Sequence, residues 1–139
     1  MDLPNNDHKG LDEDRDPTPT GRLTLRHVTQ PKDANAHNRI SSGWVTFHMD
    51  QAAESIATHI AEGTVANVSM DQLVFTSPIR IGDTVSFYTH LLDIGSSSIK
   101  ISVEVWCHSA HAPEEHKVVD GTFVYVAIDE AGRIRRVPK

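Results

Sequence analysis

The chain has 139 residues, 38% of them hydrophobic and 23% charged, with a formal charge of −6. That length sets one domain as the expectation, and an acidic balance argues against nucleic-acid binding, which needs a basic face. One cysteine, Cys107, excludes an intrachain disulfide and fits a reducing, cytoplasmic setting.

The first 21 residues, MDLPNNDHKGLDEDRDPTPTG, hold six acids, two bases and three prolines, which accounts for −4 of the net charge. With no apolar periodicity they read as a disordered acidic tail, residues 1–21. They contain no basic segment followed by an apolar run, so no signal peptide is expected. No apolar run approaches the ~20 residues of a membrane span. RLTLRHVT, from Arg22, alternates Leu23, Leu25 and, less cleanly, Val28 with polar residues and predicts a short strand. QPKDANAHNR then reads as a loop, where Asn35 by itself is a turn residue bonding nearby backbone and Asp33 shapes the segment.

SSGWVTFHMDQAAESIATHIAEG predicts a helix over Ser41–Gly63. Val45, Met49, Ala52, Ala53, Ile56 and Ile60 fall within about 100° of arc. Ser41 or Ser42 can cap its start and Gly63 can end it. Trp44 and Phe47 project away from that stripe, so the first two turns are apolar nearly all round. Such a helix is buried on more than one side, by a wrapping sheet or by a second subunit. Asp50 falls at the rim of the stripe, beside Thr46 and Ala57, where an ordinary boundary residue and a functional carboxylate are both compatible with the pattern. Glu54, a turn further, is expected in solvent.

Four strands are predicted to follow, over Thr64–Phe75, Thr84–Ile94, Ser98–Ser109 and His116–Asp129. The third is the clearest, with Ile99, Ile101, Val103 and Val105 on one face. Gly121 marks a bulge or a close approach of another backbone. Short turns between consecutive strands favour antiparallel pairing. One long helix against one such sheet is an α+β layer. The chain is thus expected to divide into the acidic tail, a domain over residues 22–130, and a basic tail over residues 131–139. Nine histidines raise a metal site, but CHSAHAPEEH matches no standard zinc spacing and reads as a polar turn, so no metal is expected.

PKDANAHNRISSGW, then HMDQAAE, FTSPIRIGD, GSSSIKISVEVW and GTFVYVAID, in that order and spacing, resemble the YciA-type and cytosolic acyl-CoA hydrolase thioesterases of the hotdog fold. The resemblance runs from about Leu23 to the C-terminus. It implies an antiparallel sheet of about five strands wrapping one central helix, acyl-CoA thioester hydrolysis with no cofactor, and a homo-oligomer with a dimer as the minimum and a trimer of dimers common. It implies Asn35 and Asp50 as the catalytic pair, contributed by different subunits, and the turn Gly95, Ser96, Ser97, Ser98 as a coenzyme A contact. This chain has Asn38 and Ser42 where the family commonly has glycine.

Thioester hydrolysis requires an attack on the carbonyl carbon and a donor for the oxyanion. Unpaired N–H groups at the helix start, around Ser42, Gly43 and Trp44, suit the second task. Asp50 suits the first, as a general base on water or as a direct nucleophile forming an anhydride. Arg133, Arg135, Arg136 and Lys139 form a basic C-terminal cluster that suits the 3′-phosphate of coenzyme A, Arg133 and Arg135 foremost, against a plain solvated tail. Two other readings remain. A non-catalytic acyl-CoA-binding protein is suggested by Ser42 and Asn38, and a hotdog dehydratase would use His48.

Overall fold

The structure is a computed structural model and describes residues 18–112 and 114–139. Residues 1–17 of the acidic tail lie outside the described residues, as does Pro113. The elements run β1 (Arg22–Val28), a turn of 3-10 helix (Pro31–Asp33), α1 (Ser42–Ala61), β2 (Val65–Asp71), β3 (Thr84–Ile94), β4 (Ser98–His108) and β5 (His116–Ala127). The five strands form one sheet in the order β1-β3-β4-β5-β2, with every neighbouring pair antiparallel. The helix packs on this sheet and touches all five strands. This is the α+β hotdog architecture expected from the motifs. No helix among the described residues is long and apolar enough to cross a membrane.

Alternation builds the sheet's inner face. Val85 and Phe87 of β3, Ile99, Ile101, Val103 and Val105 of β4, and Phe123, Tyr125 and Ala127 of β5 are fully buried against α1. Directly opposed residues share a face, so the pairs Ile99–Tyr125 and Ile101–Phe123 lie side by side under the helix. Gly121 is a point of close approach. A Cβ there would lie 2.4 Å from Leu73 Cδ2 and 3.1 Å from the Asp71 carbonyl oxygen.

Three local expectations are corrected. In β1 the pairing shifts register between Leu23 and Leu25. The extra residue moves the next side chains to the other face. Leu25 and His27 then face the core opposite Phe87 and Val85, while Leu23 and Val28 are left exposed. In α1, Ala57 and Ala61 are fully buried and Ile56 and Ile60 only half-buried. The buried arc therefore drifts along the helix toward the side that Asp50 occupies. At its end, Glu62 and not Gly63 takes the left-handed conformation, with φ 53°. The Gly63 N–H bonds the Thr58 carbonyl at 3.2 Å and closes a Schellman cap.

The outer face and the C-terminal segment also pack. Trp106 is 2% exposed and its Nε1 donates to Glu104 Oε1 at 2.9 Å, which also accepts from the backbone N–H of Thr20 at 3.2 Å. Residues 131–139 do not project as a free extension. The Arg135 N–H bonds the Ala127 carbonyl, the Val137 N–H bonds the Ser96 carbonyl at 2.8 Å, and the Val137 side chain is buried. An apolar residue hidden in a basic run is what ties this segment down.

Candidate active site

The loop before α1 is built around Asn35. Its Oδ1 accepts the N–H groups of His37 (2.8 Å) and Arg39 (3.2 Å), and its own N–H donates to the Arg39 carbonyl at 2.8 Å. Asn38 sits in the left-handed region at φ 61°, which asparagine tolerates better than most side chains. Asp33 Oδ2 accepts from the Gln30 N–H at 2.9 Å and shapes the same loop. Asn35 Oδ1 is thus spent on the turn. Its Nδ2 has no hydrogen-bond partner among the described residues and is the end available to a ligand.

Ser41 caps the helix. Its Oγ accepts from the Trp44 N–H at 3.1 Å and its carbonyl from the Val45 N–H at 3.3 Å. The Trp44 N–H is therefore taken by the cap, and the donors left at the helix start are those of Ser42 and Gly43. Asn35 and Ser42 open into one cleft of about 410 Å3 with Arg39, Val45, Phe75 and Ser77. Trp44 turns away from it, 4.3 Å from the His48 ring and 5.8 Å from the His27 ring. Phe47 is 60% exposed.

Asp50 lies two helical turns further along and meets β5. The hydroxyl of Tyr125, whose residue is fully buried, donates to Asp50 Oδ1 at 2.5 Å and lies 3.1 Å from the Asp50 carbonyl oxygen. Burial, and then the bond to Asp50, raises the phenol well above its usual range, so it stays a proton donor. Asp50 Oδ2 has no partner among the described residues. Tyr125 is the site residue that the motifs do not single out. Its one signal is a hydroxyl on the inward face of an apolar strand, which has to find an acceptor.

A single chain does not bring Asn35 and Asp50 together. Asp50 is absent from the lining of the cleft that holds Asn35 and Ser42. Eight residues of helix separate it from Ser42, about 12 Å along the axis. His48 faces another cavity, of about 270 Å3, with His27, Lys32, Asp33 and Trp44. Its Nδ1 is buried without a partner, and burial, then the neighbouring His27, lowers its pKa.

The Gly95–Ser98 segment is the hairpin between β3 and β4, closed by the Gly95 N–H on the Ser98 carbonyl at 2.8 Å. The Ser96 carbonyl receives Val137, as described above, and that brings the chain end alongside. A cleft of about 520 Å3 results, lined by Ile94, Gly95, Ser96, Arg136, Val137, Pro138 and Lys139. The cations beside the serine turn are therefore Arg136 and Lys139. Arg135 spends its guanidinium on the carbonyls of Ile128, Arg136 and Ala61, and Arg133 lies 3.7 Å from Asp129 in solvent. Cys107 points inward to Asp83, whereas His108, His111 and His116 are exposed.

The Thioesterase superfamily matches residues 37–112. A protein of Haemophilus influenzae named as an uncharacterized acyl-CoA thioester hydrolase is 41% identical over 122 residues, covering 86% of this chain and 79% of that one. The chain belongs to the thioesterase superfamily. Another relative in this superfamily, the acyl-CoA thioester hydrolase YciA of Salmonella typhimurium, is 36% identical over 126 residues, 88% of this chain and 95% of its own. The crystal structure of a hexameric broad specificity acyl-coenzyme A thioesterase superposes with a TM-score of 0.84 at 38% identity, covering 88% of this chain and 84% of that one. In this thioesterase-superfamily chain, α1 carries both the free N–H groups of the cleft and the Asp50 carboxylate.

Proposed function

We propose that this protein is an acyl-CoA hydrolase that converts an acyl-CoA and water into a free acid and coenzyme A. The observation that carries the proposal is a carboxylate on the central helix, Asp50, held through one oxygen by Tyr125 with the other left open, in a chain 36% identical to a named acyl-CoA thioester hydrolase. Asp50 Oδ2 is the oxygen that takes a proton from the attacking water or itself attacks the carbonyl. The N–H groups of Ser42 and Gly43 receive the oxyanion, a task in which one donor is typically worth ~3 kcal/mol. Asn35 Nδ2 orients the water or the carbonyl. Coenzyme A leaves as a thiolate and needs no strong general acid. The pantetheine and phosphates run toward the Gly95–Ser98 turn, where Arg136 and Lys139 supply charge-assisted donors. No cofactor takes part.

The working site is shared between two copies of the chain, Asn35 and Ser42 of one protomer facing Asp50 of another. Support comes from the separation of the two groups within one chain and from what that chain leaves uncovered. β2 is an edge strand, and Val68, Met70, Val74 and Phe75 on and after it are exposed, as is Phe47. An apolar open edge of this kind is normally paired or covered. The assembly proposed is a trimer of dimers, in a cytoplasmic enzyme.

Free-thiol release across a panel from acetyl-CoA to palmitoyl-CoA, with Asp50→Ala beside the wild type, tests the function. Hydrolysis by the wild type and its loss in the variant are expected. Calorimetric binding of acyl-CoA without hydrolysis of any chain length would establish a binding protein instead. Light scattering that finds a stable monomer would remove the shared site.

A further inference from the structure

The Asp50 carboxylate sits on a helix, and its terminal torsion is broad and roughly two-fold. A carboxylate that is to act on one water in one direction has to be stopped from turning. Tyr125 is placed to do this. Its hydroxyl meets Asp50 Oδ1 at 2.5 Å, at the short end of the range for a hydroxyl donating to a charged oxygen. The donor itself cannot follow a rotating acceptor. Tyr125 is 0% exposed, and β5 is paired on both sides, by β4 through Ile99 and by β2 through Asn67. Contact with the Asp50 carbonyl oxygen at 3.1 Å pins the same hydroxyl against the helix backbone.

We propose that Tyr125 is the positioning residue of this site, fixing Asp50 through Oδ1 so that Oδ2 alone is presented to water and the thioester. This rests on the acyl-CoA hydrolase reading with Asp50 as its acting carboxylate. The phenol stays protonated because burial and Asp50 both oppose its ionisation, so the anchor holds over the whole working pH range. Tyr125 touches no reacting atom. It acts through Asp50, and removing its hydroxyl lets the carboxylate sample orientations that do not lead to reaction. Misplacement of a catalytic group by about 1 Å can cost a hundredfold in rate.

The experiment compares full-length wild type, Tyr125→Phe, Asp50→Asn and the double variant in acyl-CoA hydrolysis. Tyr125→Phe is expected to lower kcat about tenfold to a hundredfold and to leave KM within about twofold, because binding energy is untouched. In the Asp50→Asn background the same change is expected to alter the residual rate less than about twofold, since the anchored group is already gone. An unchanged kcat in Tyr125→Phe, or equal losses in both backgrounds, overturns the proposal and leaves the hydrolase reading standing. A wild type without hydrolysis, or an Asp50→Asn variant at full turnover, overturns the underlying reading and the proposal with it. Where Tyr125→Phe does not fold, Tyr88→Phe makes Tyr125 the sole tyrosine. Its near-ultraviolet absorption at neutral pH is then expected to shift to shorter wavelength on Asp50→Ala, because the hydroxyl loses the carboxylate that accepts its proton, and an unmoved band overturns the proposal.

Discussion

Arg135 donates through Nη2 to the carbonyl oxygen of Ala61 at 2.8 Å, which ties the C-terminal segment to the last turn of the central helix. Its Nε and Nη1 are taken by the carbonyls of Ile128 (3.1 Å) and Arg136 (3.2 Å). A cation at a helix C-terminus also complements the negative end of the dipole. Arg135→Ala is expected to destabilise the fold by about 2 kcal/mol, the scale of hydrogen bonds to a charged group. Arg135→Lys should recover less than half, because an ammonium cannot span carbonyls that a planar fork reaches together. Chemical denaturation reads the loss. KM for acyl-CoA should stay unchanged, which separates this role from phosphate binding.

Cys107 predicts an alkaline weakness. Burial first, then its hydrogen bond with Asp83 at 3.2 Å, pushes the thiol from 9.0 to about 12. At pH 8 the thiolate fraction falls by about a thousandfold, and alkylation of the folded protein should slow by a similar factor. Denaturation should expose the thiol to immediate labelling. A folded pKa above the unfolded one gives stability that is complete below pH 9 and is lost as pH rises toward 12. Tyr125 shifts in the same direction. Denaturation midpoints should therefore fall from pH 9 upward, and Cys107→Ala should flatten that slope without abolishing it.

How much of this was legible depended on whether the signal was local. In β4 the period-two pattern Ile99, Ile101, Val103, Val105 suffices, and all four are fully buried. In β1 one extra residue in the pairing with β3 turns His27 inward and Leu23 and Val28 outward, and nothing in eight residues of sequence marks that shift. Ala57 and Ala61 outrank Ile56 and Ile60 in burial because the buried arc drifts along the helix, which a fixed wheel does not show. Within the site, Asp50 and Asn35 are reached through family motifs. Tyr125 meets Asp50 across 75 residues, a contact that only the fold creates. The basic composition of the C-terminal segment likewise obscures Val137, and with it the seating of Arg136 and Lys139.

Arg136 and Lys139 line the cleft beside Gly95 and Ser96. If they hold coenzyme A phosphates, replacing both with alanine should raise KM for acyl-CoA about tenfold and leave kcat alone. Thioesters of N-acetylcysteamine, which carry no phosphate, should be hydrolysed equally by wild type and variant. The KM difference should shrink as salt is added, because exposed charge pairs are screened over about 8 Å at physiological ionic strength. Equal losses with both kinds of thioester would place these residues in folding rather than in phosphate recognition.

Ser42 occupies the first position of α1, is exposed, and lines the Asn35 cleft together with Val45 and Phe75. On the acyl-CoA hydrolase reading, a side chain at this point of the cleft narrows the approach of the acyl group to the N–H groups of the helix start. Ser42→Gly should keep the fold, since Ser41 supplies the cap and a glycine in the first turn costs under about 1 kcal/mol. The substitution should raise kcat/KM for palmitoyl-CoA severalfold relative to acetyl-CoA, because a longer chain gains more from the wider entrance. A ratio of kcat/KM between palmitoyl-CoA and acetyl-CoA that stays the same, with kcat unaltered, would instead show that Ser42 stands outside the acyl path. A uniform fall in kcat with KM unchanged would indicate that its N–H, repositioned by the more flexible glycine, is the donor that matters.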